Sequence, residues 1–202
     1  MKDKPQYIAF EGMDGAGKTT QAKLFQSFLA SINIKSLMTK EPGGTPAGIK
    51  IKEILLENKI YKETELLLFL ADRSQHIREV VKPNIEKGVI VVSDRSLYST
   101  IAYQGFGKGI DVEFLHKLSS FTNNSILPQV VFLIDTQPEV CAMRCKERDK
   151  EKSESISFLK KVREGYLKLS EKKAFKKAFF VMDGQKDIAT LHEDILKVWN
   201  KL

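Results

Sequence analysis

The sequence predicts an α/β protein built as one domain around a parallel β-sheet. Its 202 residues fit a single domain at roughly 100–200 residues per domain. Short β-rich runs alternate with amphipathic helical stretches, which is the pattern of a parallel sheet with helical crossovers. Two runs, 89–92 and 130–134, are continuously apolar, as expected of strands that are buried on both faces.

Five strands and eight helices are predicted in alternating order. The strands are expected at 7–11, 36–39, 89–93, 130–134 and 179–182. The helices are expected at about 18–32, 46–57, 63–86, 97–105, 111–123, 138–147, 154–173 and 187–201. The helix from 154 has the clearest signal, because its apolar residues recur at steps of three and four. Neither a repeat nor a flexible linker divides the chain, so residues 1–202 are predicted to form one domain.

The composition is that of an ordinary soluble globular protein, with 42% hydrophobic and 29% charged residues, which excludes collagen-like and wholly disordered classes. The apolar run at 66–71 is far shorter than the roughly 18 residues of a membrane span. Residues 1–6 lead into only four apolar residues, too few for a signal peptide. A cytoplasmic protein with no membrane partner is therefore expected.

The positive charge of the chain is concentrated near its C-terminal end. The net charge is +7, and residues 144–177 alone hold thirteen basic and six acidic residues. No helix-turn-helix, RNP aromatic or Cys/His finger motif accompanies them, so a nucleic-acid partner is not expected. Two interpretations stay open for these lysines and arginines: a solvated helix face, or a basic flap over anionic phosphates.

The two cysteines, Cys141 and Cys145, lie four residues apart on a predicted helix. That helical backbone holds the pair poorly for a disulfide, and no histidine is near enough in the sequence to complete a zinc site. Ordinary reduced thiols are the prediction.

A complete phosphate-binding motif, G-x-x-x-x-G-K-[ST], follows the first predicted strand and opens the first helix. Its residues are Gly12, Met13, Asp14, Gly15, Ala16, Gly17, Lys18 and Thr19. Backbone N–H groups of such a loop surround phosphate oxygens at a helix N-terminus. Lys18, expected to face solvent, would reach the β- and γ-phosphates, and the Thr19 hydroxyl would ligate Mg²⁺. A GTPase is not favoured, because neither D-x-x-G beyond the loop nor N-K-x-D is present.

A second group of polar residues follows the third strand. It contains Asp94, Arg95, Ser96, Ser99, Thr100, Tyr103 and Gln104. Ligands of open α/β sheets bind outside the carboxyl ends of the strands, so Asp94 and Arg95 should face the phosphate loop. Asp94 could hold Mg²⁺ and Arg95 could clamp a phosphate, although a structural Asp–Arg strand cap is an alternative. The turn at 41–45, after the second strand, has a purely structural interpretation as well.

Together these residues resemble the thymidylate kinase family over about residues 7–199. The matching motifs, in order and spacing, are Phe10-Glu11-Gly12, Glu41-Pro42-Gly43-Gly44-Thr45, Phe69 with Arg73, Asp94-Arg95, Ala102-Tyr103-Gln104-Gly105, and Asp135 with Pro138-Glu139. The resemblance implies a three-layer P-loop NTPase fold with a five-stranded parallel sheet and a small lid at about 144–153. It also implies ATP- and Mg²⁺-dependent phosphorylation of dTMP to dTDP by a homodimer.

The resemblance further implies roles for individual residues. Lys18 acts as the phosphate-loop lysine and Arg95 as the clamp on the dTMP phosphate, with Asp94 as its metal-side partner. Asp14 lies near the acceptor phosphate and sugar, while Phe69 stacks on thymine and Arg73 donates to the base. Further substrate contacts come from Glu41, Pro42, Thr100, Gln104 and Tyr103, the last packing under the sugar. A core Phe69 with a surface Arg73 is the structural alternative.

The sequence departs from the family pattern at two places. Ser96 stands where an aromatic residue or histidine is usual, and residues 149–152 read Asp-Lys-Glu-Lys where the lid usually reads D-R-x-E. The second positive group on the transferred phosphoryl is therefore sought among Arg144, Arg148 and Lys150. Arg148 is favoured because arginine offers planar bidentate donors, with solvated surface charge as the alternative.

Two other function classes stay open at this point. A deoxynucleoside kinase acting on thymidine would share the run Asp94-Arg95-Ser96 but would need a general base near the 5′-hydroxyl. A non-enzymatic basic nucleotide-binding module is the other alternative. The homodimer has independent support, because residues 66–70 make one helix apolar nearly all round, and a second subunit would cover the excess.

Overall fold

The computed structural model describes residues 4–57, 59–148 and 154–202, with the backbone alone at Arg148. Five parallel strands form one sheet in the order β2-β3-β1-β4-β5. They are β1 Tyr7–Glu11, β2 Ser36–Lys40, β3 Ile90–Asp94, β4 Val130–Asp135 and β5 Phe179–Asp183. The predicted five-stranded parallel sheet is thus confirmed, and each strand boundary lies within one residue of its predicted position.

Nine α-helices are found in the described part of the chain. They are α1 Lys18–Ser31, α2 Pro46–Glu57, α3 Lys62–His76, α4 Lys82–Glu86, α5 Leu97–Thr100, α6 Val112–Thr122, α7 Pro138–Arg148, α8 Ile156–Glu171 and α9 Ile188–Trp199. A π-helical segment, Ile77–Val81, joins α3 to α4, and a second, Ile101–Gly107, continues α5. The helix predicted at 63–86 therefore contains a change of helical pitch that the apolar pattern did not reveal.

Helices cover both faces of the sheet. On one face the aromatic rings of Phe10, Phe25 and Phe132 pack together, and the ring of Trp199 on α9 meets Phe25 edge-on at 5.3 Å. On the other face Tyr7 and Val91 pack with Ile77 and Val81 in a separate buried cluster. The adjacent residues Tyr7 and Ile8 of β1 thus enter different clusters, as expected of a parallel sheet that is covered on both faces.

The helix that follows the predicted lid is joined to the sheet by an ion pair. Ser155 caps α8 by accepting a hydrogen bond from the Phe158 N–H, so the helix begins two residues later than predicted. Arg163 binds both carboxylate oxygens of Asp135, the last residue of β4, at 2.7 and 2.8 Å. Of the predicted lid at 144–153, the part from 149 lies outside the described residues.

In the described ranges, none of the helices is both long enough and apolar enough to cross a lipid bilayer.

Candidate active site

The phosphate loop connects β1 to α1 in a tight turn. Gly12 has a φ of 138°, and a Cβ at that position would lie 2.5 Å from the carbonyl oxygen of Ile134 on β4. Gly15, with a φ of 84°, passes equally close to the backbone of Cys141 on α7. Only glycine adopts these conformations without strain at such close approach, so both glycines are required by the packing of the loop against β4 and α7.

The side chain of Lys18 lies inside this loop. Its residue exposure is only 5%, and its ammonium donates to the Met13 carbonyl at 2.8 Å. The expectation of a solvent-facing lysine was therefore wrong, because the side chain at this helix start folds back over the loop before it. Burial lowers the pKa of Lys18, and the nearby charge of Arg95 lowers it further. The ammonium is therefore held inside the phosphate loop, where the phosphates of a nucleotide would bind.

Thr19 and Asp94 meet at the carboxyl end of the sheet. The Thr19 hydroxyl donates to the Oδ2 atom of Asp94. The other oxygen, Oδ1, is buried without a hydrogen-bond partner among the described residues. A buried carboxylate oxygen without a partner is costly, and Mg²⁺ in kinase sites is commonly held by one or two protein oxygens together with substrate phosphates. The two residues therefore fit the magnesium ion that the sequence implied. The described residues do not include a cluster of three or more His, Cys, Asp or Glu side chains that could hold a metal.

Arg95 lies directly beside the phosphate loop. Its φ of 79° is a left-handed backbone conformation that residues other than glycine rarely adopt. One terminal nitrogen donates to Asp14 Oδ1 at 2.7 Å and the other to Ser99 Oγ at 2.8 Å. The charge of Arg95 holds the pKa of the Asp14 carboxyl well below its usual range, although burial opposes this. The guanidinium also lies 5.1 Å from the centre of the Tyr103 ring.

Glu11, at the end of β1, is a buried carboxylate that is linked to Arg95 through Ser99. Its Oε1 accepts from both the backbone N–H and the hydroxyl of Ser96, each at 2.7 Å. Its Oε2 accepts from the hydroxyls of Ser99 at 2.6 Å and Tyr166 at 3.0 Å. Burial raises the pKa of Glu11, while the charge of Arg95 and these hydroxyl donors lower it. Ser96, at a position where the family usually has a larger side chain, thus has a specific role in this chain.

A cavity of about 850 Å³ opens next to the loop. All nine substrate-binding residues predicted from the sequence line it: Asp14, Glu41, Pro42, Phe69, Arg73, Arg95, Thr100, Tyr103 and Gln104. Tyr103 connects the cavity to the loop, since its hydroxyl accepts from the backbone N–H of Asp14 at 3.0 Å. The volume is within the usual range for sites that bind a small molecule.

Arg73 lies at the cavity wall and is almost fully buried, with 3% exposure. Its Nε donates to Glu41 Oε2 at 2.7 Å, and its terminal nitrogens donate to Thr100 Oγ1 at 2.8 Å and to the Ser96 carbonyl at 3.0 Å. The alternative of a surface arginine is therefore wrong. A guanidinium carries five N–H groups, and the other two have no hydrogen-bond partner among the described residues, so they are available to a ligand.

Gln104 is also fixed by its neighbours. Its amide donates to Glu65 Oε1 at 2.7 Å, and the other oxygen of Glu65 pairs with Lys108 at 2.5 Å. A ligand in the cavity would therefore meet the amide in a fixed orientation.

Arg144, Arg148 and Lys150 are the basic groups predicted in the lid. Of these, only Arg144 has a side chain that the structure describes. Arg144 on α7 donates to the Gly15 carbonyl at 3.3 Å, so it contacts the phosphate loop. The side chain of Arg148 and the residues Lys150 and Lys152 lie outside the described residues.

Three buried polar residues of the site were not selected from the sequence. Glu11 enters the sequence analysis only within a motif, Tyr166 belongs to the apolar stripe of the helix from 154, and His76 is one of the histidines too far from the cysteines for a zinc site. His76 is fully buried and binds Glu41 Oε1 through Nδ1 at 2.8 Å. Its place three residues after Arg73, hence on the same face of α3, was the available signal.

A phosphate loop on a five-stranded parallel sheet, facing a cavity lined by an arginine clamp and a second buried arginine, is the arrangement of a P-loop nucleotide kinase. Transfer between two phosphate groups needs this positioning of positive charge more than it needs a strong base.

The chain belongs to the thymidylate kinase family, whose model matches residues 10–195. The thymidylate kinase of Kosmotoga olearia is 40% identical over 196 residues, which cover 95% of this chain and 93% of that protein. The thymidylate kinase of Thermosipho africanus is 44% identical over 199 residues, covering 96% and 98%. The crystal structure of thymidylate kinase from Ehrlichia chaffeensis matches with a TM-score of 0.81 at 31% identity, covering 98% of this chain and 99% of that chain.

Proposed function

We propose that this protein transfers the γ-phosphoryl group of ATP to dTMP, giving ADP and dTDP. The bond between the γ-phosphorus and the β,γ-bridging oxygen breaks, and a bond forms between that phosphorus and an oxygen of the dTMP phosphate. The observation that carries the proposal is the cavity, which has Arg95 and Asp14 at its phosphate-loop side and Phe69 and Arg73 in its wall. The family relationship supports the same substrate pair.

The chemistry requires positive charge along the line of transfer. Lys18 would stabilise the β- and γ-phosphate oxygens, and Arg95 would hold the acceptor phosphate with its planar donors. The acceptor is already an anion at neutral pH, so these residues need not remove a proton from it. Asp14, kept ionised by Arg95, orients that guanidinium through their 2.7 Å contact.

Thr19 and Asp94 would hold Mg²⁺ on the donor side, in keeping with the unpartnered Asp94 oxygen. When bound, the ion would neutralise charge on the β- and γ-phosphates. Residues 144–153 are proposed as the lid, with Arg144 next to the loop and Arg148 as the group that serves the transferred phosphoryl.

Paired turnover assays would test the function. The purified chain should form ADP with ATP, Mg²⁺ and dTMP, but not when thymidine replaces dTMP. Turnover of thymidine instead would support the deoxynucleoside kinase alternative. Turnover of neither substrate, with ATP still bound, would support a nucleotide-binding module.

The selectivity of the site is proposed to depend on Arg73. Replacing it by alanine should reduce the ratio of kcat/KM for dTMP to that for dCMP by about 10- to 100-fold, because a lost hydrogen-bond donor to the base removes discrimination. Steady-state kinetics with both monophosphates would measure the ratio. Thermal unfolding of the same variant is needed as a control, since Glu41 loses its ion-pair partner. An unchanged ratio in a folded variant would contradict the role.

We also propose that the protein is a homodimer. Leu66 and Leu70 of α3 are buried in the core, whereas Leu67 is 62% exposed. On α6, which packs against α3, Phe114 and Phe121 are 51% and 78% exposed. Two helices that pack together thus expose large apolar side chains, and exposed apolar patches commonly mark subunit interfaces.

Light scattering should therefore give a mass of about 46 kDa, twice the chain mass of 22.9 kDa. Replacing Phe121 by glutamate should shift the protein towards the monomer, because a charge would be buried in the interface. Ile188→Glu is the matched control, since Ile188 is similarly exposed on a different helix, α9. A wild-type monomer at micromolar concentration would contradict the proposal.

A further inference from the structure

A buried hydrogen-bonded chain connects β2 to the arginine in the cavity wall. The Thr39 hydroxyl lies 2.7 Å from His76 Nε2, and His76 Nδ1 lies 2.8 Å from Glu41 Oε1. The other oxygen of Glu41 accepts from Arg73 Nε at 2.7 Å. All four residues are at most 9% exposed, so water has little access to replace any of these bonds.

The imidazole ring is held in place by packing as well as by hydrogen bonds. A Cβ at Gly44 would lie only 2.6 Å from His76 Cδ2, so the ring lies directly against the backbone of the 41–45 turn. His76 is not among the residues that line the cavity. Its hydrogen bonds reach the cavity through Glu41, which lines the cavity and binds Arg73.

The donors and acceptors in this chain can be assigned. Burial acts to raise the pKa of Glu41, but the charge of Arg73 and the hydrogen bond from His76 keep it below its usual value. Glu41 is therefore a carboxylate at neutral pH and can only accept hydrogen bonds. His76 Nδ1 must therefore carry a proton and donate a hydrogen bond to Glu41. In the neutral ring, Nε2 is then unprotonated and accepts a hydrogen bond from the Thr39 hydroxyl. The charged groups around the ring are Glu41, Arg73 and, on the same helix, Asp72.

We propose that His76 is a positioning residue for substrate selection: its Nδ1–H fixes the Glu41 carboxylate, and Glu41 in turn fixes the orientation in which Arg73 meets the nucleobase. The inference deepens the proposed function and rests on it. Arg73 has one side held by Glu41 and its terminal nitrogens held by Thr100 and the Ser96 carbonyl. Loss of the His76 bond leaves one oxygen of Glu41 unpaired in a buried site. A buried acceptor without a partner is unfavourable, so the Glu41–Arg73 pair would reorient.

Two substitutions distinguish the contribution of His76 Nδ1 from that of His76 Nε2. The amide nitrogen of His76→Asn can occupy the place of Nδ1, whereas that of His76→Gln can occupy the place of Nε2. His76→Asn should keep the KM for dTMP within about threefold of wild type. His76→Gln should raise that KM about tenfold or more, because small misplacement of a positioning group is costly, while the KM for ATP stays unchanged. His192→Gln, on α9, is the matched control and should alter neither constant.

The outcomes distinguish positioning from a merely structural role. If the two His76 variants lose dTMP affinity and ATP affinity alike, or if a folded His76→Gln has the wild-type KM for dTMP, the inference is overturned. Failure of the wild-type protein to phosphorylate dTMP would instead reject the proposed function. Melting temperatures of all variants accompany the kinetics.

A measurement on the wild-type chain keeps the inference testable even if a variant does not fold. Long-range ¹H–¹⁵N correlation spectra report which ring nitrogen of each of the three histidines carries a proton. The signals of His116 and His192 can be assigned with glutamine variants at those positions, which leaves those of His76. A proton on His76 Nδ1 supports the assignment, and an unprotonated Nδ1 overturns it.

Discussion

Replacing Lys18 by methionine should lower kcat by roughly two to three orders of magnitude, the usual loss when one donor to a developing charge is removed. The lysine is buried within the phosphate loop, and its ammonium lies 2.8 Å from the Met13 carbonyl oxygen and 3.9 Å from Asp14 Oδ1. In the proposed reaction the ammonium stabilises the negative charge that builds up on the β- and γ-phosphate oxygens. The KM for dTMP should change little, because Lys18 lies on the donor side.

Methionine is the better substitution here because Lys18 is buried. Alanine would leave a cavity at the start of α1, and cavity formation alone is destabilising. Methionine fills similar space without charge, so the loss can be assigned to the missing ammonium. Lys23→Met on the exposed side of the same helix is the control and should retain full activity. Activity of the Lys18 variant within about tenfold of wild type, or 1.4 kcal/mol of barrier, would reject the assignment of the site.

The layout of the fold could be predicted because its strands have strong local signals. The continuous apolar runs at 89–92 and 130–134 can be satisfied only by burial on both faces, and β3 and β4 lie in the interior of the sheet order. The π-helical segments at Ile77–Val81 and Ile101–Gly107 could not be predicted in this way. Their side chains still follow a roughly helical spacing, and the change of pitch depends on tertiary packing.

The candidate site was predictable where its residues follow strands, and less so where they are buried beneath it. The motifs after β1, β2 and β3 converge because the carboxyl ends of parallel strands share one edge of the sheet. Glu11 and Tyr166 are 155 residues apart in the chain yet lie 3.0 Å apart. In the sequence, Tyr166 is indistinguishable from the core residues of its helical stripe, since only its hydroxyl is polar.

The expected environment of Lys18 was wrong for a related reason. The motif specifies a lysine at the first helical position, but the depth of the side chain depends on how closely β4 and α7 pack against the loop. Gly12 and Gly15 permit that close packing. Burial of the lysine is thus a property of the assembled layers and not of the eight-residue motif.

Replacing Arg95 by alanine should reduce kcat/KM for dTMP by about a thousandfold, with both kcat and KM affected. The Arg95 backbone has a left-handed conformation, and the guanidinium contacts Asp14, Ser99 and the Tyr103 ring. Such fixed geometry allows it to place the acceptor oxygen in line, and misplacement of a reacting group by about 1 Å can cost a hundredfold. Arg95→Lys should be nearly as damaging, because an ammonium cannot provide the same planar donors.

Arg78→Ala is the matched control, since Arg78 lies outside the cavity wall and should leave kcat/KM unchanged. A change confined to the KM for ATP would move Arg95 to the donor side and contradict its role as the acceptor clamp.

The pH dependence of stability provides a second, independent test of the Arg95 contacts. The pKa of Asp14 is lowered chiefly by the charge of Arg95, so the ionised pair stabilises the folded state above the unfolded pKa of about 3.9. That contribution is lost as the pH falls towards the lower pKa of the folded state. The difference in Tm between wild type and Arg95→Ala should therefore be nearly constant from pH 7 to about 5 and should narrow as the pH is lowered from about 5 to about 2. A difference that does not narrow at acid pH would show that Asp14 is not coupled to Arg95, and the guanidinium would then be oriented by its contacts with Ser99 and the Tyr103 ring.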